Sequence, residues 1–246
     1  IWALAAMRLP VRDIKGGEKK IAAELREGFL YTFGFKPIRE LLLLVSMISF
    51  IGMTFPVLLP VFAARVLGGG SHTYGFLVAA TGAGAMAGTL YLATRKSVRG
   101  LTRIIMVCLC VFGAGLLVFS WSRSVMLSTA ILAVVGFGMI VCIAACNTII
   151  QTIVAEDKRG RVMSFYTMCF MGSAPLGSII AGSLSSVVGA PLTVRGGGVL
   201  SIAVALAFLL RLPRLREHIR PIYRKMGILP EVAMGIQSAT EMQEPE

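Results

Sequence analysis

Residues 124–151 read SVMLSTAILAVVGFGMIVCIAACNTIIQ, a stretch of 28 positions without a single charge. As a helix it extends about 42 Å at 1.5 Å per residue, and a hydrocarbon core of ~30 Å needs only about 20 such residues. Its apolar residues are continuous and do not alternate with polar ones, so the run is a membrane helix and not a strand of a transmembrane barrel. Near its end lie Asn147 and Gln151, four residues apart and therefore on one helix face.

Runs of the same kind occupy most of the chain. Counted from the N-terminus they are 41–64, 74–94, 104–121, 124–151, 162–188 and 192–210. The last is the weakest, because it contains Arg195 and the triplet Gly196-Gly197-Gly198. These runs predict an all-α membrane protein with six transmembrane helices and short connections. Composition agrees: 56% of the 246 residues are apolar and 15% are charged, against roughly 25% in soluble domains. Disorder is excluded on the same ground. Only 13 charged residues fall between Leu41 and Leu212, whereas the flanks hold 23. The chain divides into a segment 1–40, a six-helix bundle 41–212 and a tail 213–246.

The net charge of +12 is a topology signal. With six spans both ends lie on one side, and that side carries 21 of the 24 Lys and Arg residues. Arg65, Arg123 and Arg195 are the three on the other. The short loops alone divide 7 to 3, so the richer side is predicted to be cytoplasmic. This accounts for the charge without nucleic acid as a partner; the lipid bilayer is the partner.

Two terminal features carry expectations of their own. Residues 1–9, Ile1-Trp2-Ala3-Leu4-Ala5-Ala6-Met7-Arg8-Leu9, run from apolar into basic, the reverse of a secretory signal, and read as the end of a preceding helix in a chain cut from a longer protein. Within 18–35, Ile21, Leu25, Phe29 and Phe33 recur every fourth position, which predicts a short amphipathic helix on the membrane surface or beneath the bundle. Pro37 ends it. The tail after Pro213 is basic and then acidic, and is expected to be poorly ordered.

Intramembrane polar groups are costly and mark function, so their inventory matters. The six runs contain no Asp, Glu or His. That removes carboxylate pairs, His-based metal clusters and His-containing triads, and with them enzymatic chemistry; it also removes the usual proton relays. No metal or other cofactor is expected. The five cysteines, Cys108, Cys110, Cys142, Cys146 and Cys169, are read as small packing residues. Asn147 and Gln151 are either interhelical hydrogen-bond glue or a polar element of a substrate pathway.

Small residues and prolines mark packing and hinge positions. Gly82, Gly84 and Gly88 lie in the second run; Gly172, Pro175, Gly177 and Gly182 lie in the fifth. Gly84 with Gly88, and Ala174 with Ser178 and Gly182, form small-xxx-small stripes that admit close helix approach. Pro56, Pro60 and Pro175 remove helix hydrogen bonds and permit kinks. Two basic loops face the predicted cytoplasm. One holds Arg95, Lys96 and Arg99. The other holds Arg159-Gly160-Arg161 directly after Glu156-Asp157-Lys158, where opposite charges can anchor topology or latch a gate.

These residues together resemble a known family. LLPVFA at 58–63, VLG at 66–68, YGFL at 74–77, the small-residue run TGAGAMAG at 81–88, the string RGRVMS at 159–164 behind Gln151, and PLGS at 175–178 with Ala181-Gly182 are similar to the C-terminal half of major facilitator superfamily transporters. Within it the chain resembles the bacterial exporter branch that includes the enterobactin exporter, the transmembrane secretion effector family. The resemblance covers about residues 1–212. It implies a twelve-helix secondary transporter of the bacterial inner membrane, with both termini of this segment cytoplasmic, of which an N-terminal six-helix half is missing here. It also implies nested inverted repeats, alternating access, and a small organic substrate of siderophore or drug type moved outward. The superfamily's charge-paired gate loop departs here: 88–99 keeps Arg95, Lys96 and Arg99 but has no Asp. Any coupling carboxylate would then lie in the other half, or the mechanism differs from the superfamily's. A self-contained six-helix scaffold or homodimeric membrane protein is the competing reading, and the two differ in whether six further spans precede Ile1 in the same frame.

Overall fold

The computed structural model describes residues 29–95 and 97–225, the last helix beyond Leu212 by its backbone alone. The expectations for residues 1–9, for Ile21 and Leu25, for Lys96 and for residues 226–246 lie outside the described residues. Among the described residues six helices are long and apolar enough to cross a membrane: Lys36–Val66, Ser71–Ala93, Leu101–Trp121, Val125–Ile153, Glu156–Val188 and Ala190–Leu212, called spans one to six. The fold is an all-α membrane protein, with no strand among the described residues.

Five of the six spans start two to six residues earlier than the sequence reading has them, and two of the boundary differences fall at prolines. Span one starts at Lys36, not Leu41, because Pro37 stands in its first turn, where the missing N–H costs nothing. A bend at Phe35 separates it from a helical turn at 29–34. Glu40 therefore lies inside span one, near its start; likewise His72 falls in the first turn of span two, and Glu156 and Asp157 in the 3₁₀ turn that leads into span five. At the other end, the tail expected to be poorly ordered continues span six as helix to Lys225, through Pro213 and Pro221. Proline forfeits a donor but keeps a helical φ, and Arg214, Leu215, Arg216 and Glu217 are strong helix formers.

Span one is not a uniform helix. Its first helix ends at Gly52, a second runs Thr54–Val61, and a π-turn Phe62–Val66 closes it, with the Leu67 amide donating to the Phe62 carbonyl at 2.9 Å. Pro56 has no N–H for the Gly52 carbonyl, and the break falls there. Pro60 precedes the π-turn. Pro175, by contrast, lies within an unbroken helix.

The spans form a row in the order two, four, one, five, with three and six paired behind it. Exchanging spans one to three with four to six maps the principal contacts onto themselves: two–four becomes five–one, three–four becomes six–one, and three–six maps to itself. That is the pattern of two inverted three-helix repeats. Glycines sit at each repeated contact. A Cβ on Gly84 of span two would overlap the Ala133 backbone of span four, and one on Gly177 of span five would overlap the Phe50 backbone of span one. Between spans three and six the relation is reciprocal: a Cβ on Gly113 would meet the Gly198 carbonyl at 2.9 Å, and one on Gly198 the Gly113 carbonyl at 2.8 Å. The Gly196–Gly198 triplet, read as a weakness of span six, supplies this crossing. The stripe expected on span five is rotated by one residue. Gly177 and Ala181 are the buried pair, whereas Gly172 and Gly182 face open space, as does Gly82 in span two.

Large side chains fill the core between spans one and three. The rings of Phe62 and Phe119 stack at 4.5 Å, and Phe55 meets Phe112 edge-on at 6.4 Å. All four are buried. Arg195 does not interrupt span six. Antiparallel packing brings it to the end of span three, where its guanidinium lies 4.7 Å from the Trp121 ring and its Nε donates to the Ser120 hydroxyl at 3.4 Å.

Candidate functional site

The terminal turns of span four are amphipathic. Ala145, Cys146, Ile149, Ile150 and Ile153 are buried, and the other face carries Asn147, Thr148, Gln151 and Thr152. The two threonines return their hydroxyls to carbonyls one turn back, Ala144 at 2.9 Å and Thr148 at 2.7 Å. Asn147 and Gln151 bond to each other: Gln151 Nε2 donates to Asn147 Oδ1 at 2.9 Å. This leaves the Asn147 amino group and the Gln151 carbonyl for a third partner. The pair is thus not glue to another helix among the described residues. It offers hydrogen-bond donors and acceptors and no titrating group.

The loop after span two closes on the same end of span four. Leu92, Arg95, Ser97, Val98 and Leu101 form a cavity of about 140 Å³ with Thr148, the neighbour of Asn147. Arg95 braces this loop internally, with Nη2 donating to the Arg99 carbonyl at 2.9 Å and Nη1 to the Tyr91 hydroxyl at 3.4 Å. The Arg99 amide donates to the Ser97 hydroxyl at 3.1 Å. These bonds satisfy the guanidinium only in part, because Arg95 Nε is buried without a hydrogen-bond partner. Lys96 lies outside the described residues.

At the second basic loop Arg159 Nη2 stands 4.0 Å from Glu156 Oε1, both side chains well exposed, so this ion pair is local and weak. Gly160 has open space around it, and its carbonyl accepts from Ser164 at 3.0 Å. Lys158 places its ammonium 4.5 Å from the centre of the Tyr31 ring, and Phe29 and Phe33 each lie 6.0 Å from Phe165. The turn at 29–34 is thereby held under the start of span five.

Three interhelical hydrogen bonds from hydroxyls to carbonyls were not foreseen, one of them Ser201 of span six donating to the Leu109 carbonyl of span three at 3.2 Å. Ser49 donates to the Phe170 carbonyl at 2.6 Å, joining spans one and five, and Tyr166 donates to the Ile143 carbonyl at 3.2 Å, joining five and four. Hydroxyls inside apolar runs were the available signal, but sequence does not say which carbonyl they reach. The five cysteines are free thiols, and Cys142 donates weakly to the Ile105 carbonyl. No cluster of three or more potential metal ligands occurs among the described residues.

Burial separates the spans sharply. The most apolar stretch of span one is 61% buried, that of span two 22% and that of span five 11%. Spans two and five are also the two least apolar of the six. A face turned to lipid should be the most apolar part of a membrane protein, because lipid cannot satisfy polar groups. The open faces of spans two and five mix large apolar side chains, Met86, Met168, Ile179 and Val187 among them, with small and hydroxyl residues such as Gly82, Gly172 and Ser186.

No curated protein and no solved structure matches the chain. The family model for the transmembrane secretion effectors matches residues 1–238, and the chain belongs to that family of major-facilitator-type membrane transporters.

Proposed function

We propose that this chain is one six-helix half of a secondary active transporter that exports a small organic molecule, siderophore- or drug-like, by alternating access. The observation that carries this reading is the pairing of low burial with low apolarity in spans two and five. Those two spans form the ends of the row and are exchanged by the inverted repeat, so a second bundle laid across the row would cover both at once. Asn147 and Gln151, on the span next to span two, would then line the space between the halves. Rocking of the halves about that space would expose it to either side in turn. The Lys and Arg bias supports a bacterial inner-membrane orientation with both ends of the bundle cytoplasmic. The outward direction is taken from the branch the sequence resembles.

Inside-out vesicles from cells expressing the complete reading frame, incubated with a panel of fluorescent drugs and iron-free siderophores, test this reading. Accumulation driven by an imposed pH gradient is expected. The double variant Asn147→Ala/Gln151→Ala should lose most of it at unchanged expression. Absence of transport across the panel, or full transport by the double variant, would defeat the proposal. So would accumulation in liposomes holding residues 1–246 alone, which would make the chain self-sufficient.

A further inference from the structure

Spans one and six leave an open-sided groove of about 160 Å³ between them. Glu40 of span one and Arg211 of span six both line it. The two spans run antiparallel, so the start of one and the end of the other meet at the same end of the bundle. Glu40 is the fifth residue of span one and Arg211 the last but one of span six, which sets both charges at the boundary between hydrocarbon and headgroups. Below them the walls are apolar: Leu43 and Met47 on one side, Val204 and Ala207 on the other. Leu43 and Met47 are 48% and 38% exposed, opening the groove along its length.

The charges do not satisfy each other. Among the described residues they form no ion pair, and Glu40 Oε2 is buried without a hydrogen-bond partner. An unpaired buried carboxylate oxygen is expensive and calls for a donor. The groove therefore presents an acceptor for a cation, a guanidinium fork for an anion, and an apolar channel leading towards the membrane centre.

We propose that this groove holds one glycerophospholipid with a primary-amine headgroup. Its ammonium donates to Glu40, its phosphate is gripped by Arg211, and the upper part of one acyl chain lies between Met47 and Ala207. Arginine matches phosphate with two parallel N–H donors, and an ammonium brings three donors to a carboxylate. A choline headgroup has the same charge but no N–H, so it leaves Glu40 Oε2 unsatisfied. The site thus distinguishes phosphatidylethanolamine from phosphatidylcholine. It lies apart from Asn147 and Gln151 and does not depend on the direction or substrate of transport.

Native mass spectrometry of the purified chain, in micelles doped with equimolar phosphatidylethanolamine and phosphatidylcholine of identical acyl chains, reads the occupant directly. The parent should retain the ethanolamine lipid about tenfold or more over the choline lipid, as expected for one charge-assisted hydrogen bond gained. Glu40→Gln should bring the ratio close to one while leaving total lipid retention nearly intact. Arg211→Gln should lower both lipids together. Ala207→Phe, which fills the groove and touches neither charge, should remove both. Equal retention of the two lipids by the parent overturns the proposal, and so does a preference that survives Glu40→Gln or retention that survives Ala207→Phe. Displacement of bound ethanolamine lipid by a zwitterionic drug at equal concentration would reassign the groove to transport cargo.

Discussion

Spans one and five are nearly equal in length, 31 and 33 residues, and pack against each other, yet they differ in burial more than any other pair. The first is strongly apolar and mostly buried; the fifth is the least apolar and almost entirely open. In water the two properties would rise together because burial is driven by apolarity. In a bilayer helices gain little from hiding apolar surface from lipid, so contact depends on shape and on interhelical hydrogen bonds. Here the contact consists of Gly177 lying on the Phe50 backbone and Ser49 reaching the Phe170 carbonyl. The difference teaches that span five is placed by a few small residues, while the rest of its surface is left for something else.

The largest expected effect tests that placement. Gly177→Leu drives a side chain into the Phe50 backbone, which cannot swing aside, so span five must leave span one. A loss of about 3 kcal/mol or more is expected from such overpacking, seen as collapse of the monodisperse peak in fluorescence-detected size exclusion. Gly84→Leu should behave alike against Ala133, its counterpart in the other repeat. A well-folded Gly177→Leu protein would break the comparison at its root.

Equivalent truncations should sharpen it. Phe62→Ala in span one removes a buried ring stacked on Phe119 and should cost about 3 kcal/mol, through cavity and lost contact together. Ile179→Ala in span five removes a side chain 65% exposed and should change stability by less than about 0.5 kcal/mol. Thermal unfolding followed by thiol-reactive dye on the buried cysteines separates the two. Comparable losses would mean that span five has a buried face not recognised here. A smaller contrast comes from hydroxyls. Ser49→Ala breaks the bond to span five and should cost about 1 kcal/mol. Ser178→Ala removes only a bond to Ala174 of its own helix and should be close to neutral.

Much of this was legible in the sequence, and what was not has identifiable causes. Charge-free runs located all six spans, because a helix crossing hydrocarbon must be apolar over about 20 residues. The i, i+4 spacing put Asn147 and Gln151 on one face, though not that they would bond to each other. Span ends were misjudged where proline was read as a terminator: Pro37 begins a helix and Pro213 is carried through one. Gly196–Gly198 looked like a flaw because glycine lowers both apolarity and helix propensity, and neither quantity registers that Gly198 lets span three approach. The order two, four, one, five could not be read at all, since six apolar runs look alike until their small residues find partners.

The smallest effect on stability concerns the glycines without neighbours. A Cβ on Gly172 or Gly182 would meet nothing within 4 Å, whereas one on Gly177 would strike backbone. Ala is also the better helix former by about 1 kcal/mol, so Gly172→Ala and Gly182→Ala should leave the isolated chain unchanged or slightly more stable. If the open face of span five is pressed against a second bundle during transport, the same added methyls fall in that interface. Export by the complete protein should then drop severalfold while the unfolding midpoint of residues 1–246 stays level or rises. Stability and transport moving in opposite directions is a signature that lipid exposure cannot produce, because an extra methyl facing lipid harms neither. Unchanged export in both variants would return the face to the lipid and remove the reason for its low apolarity.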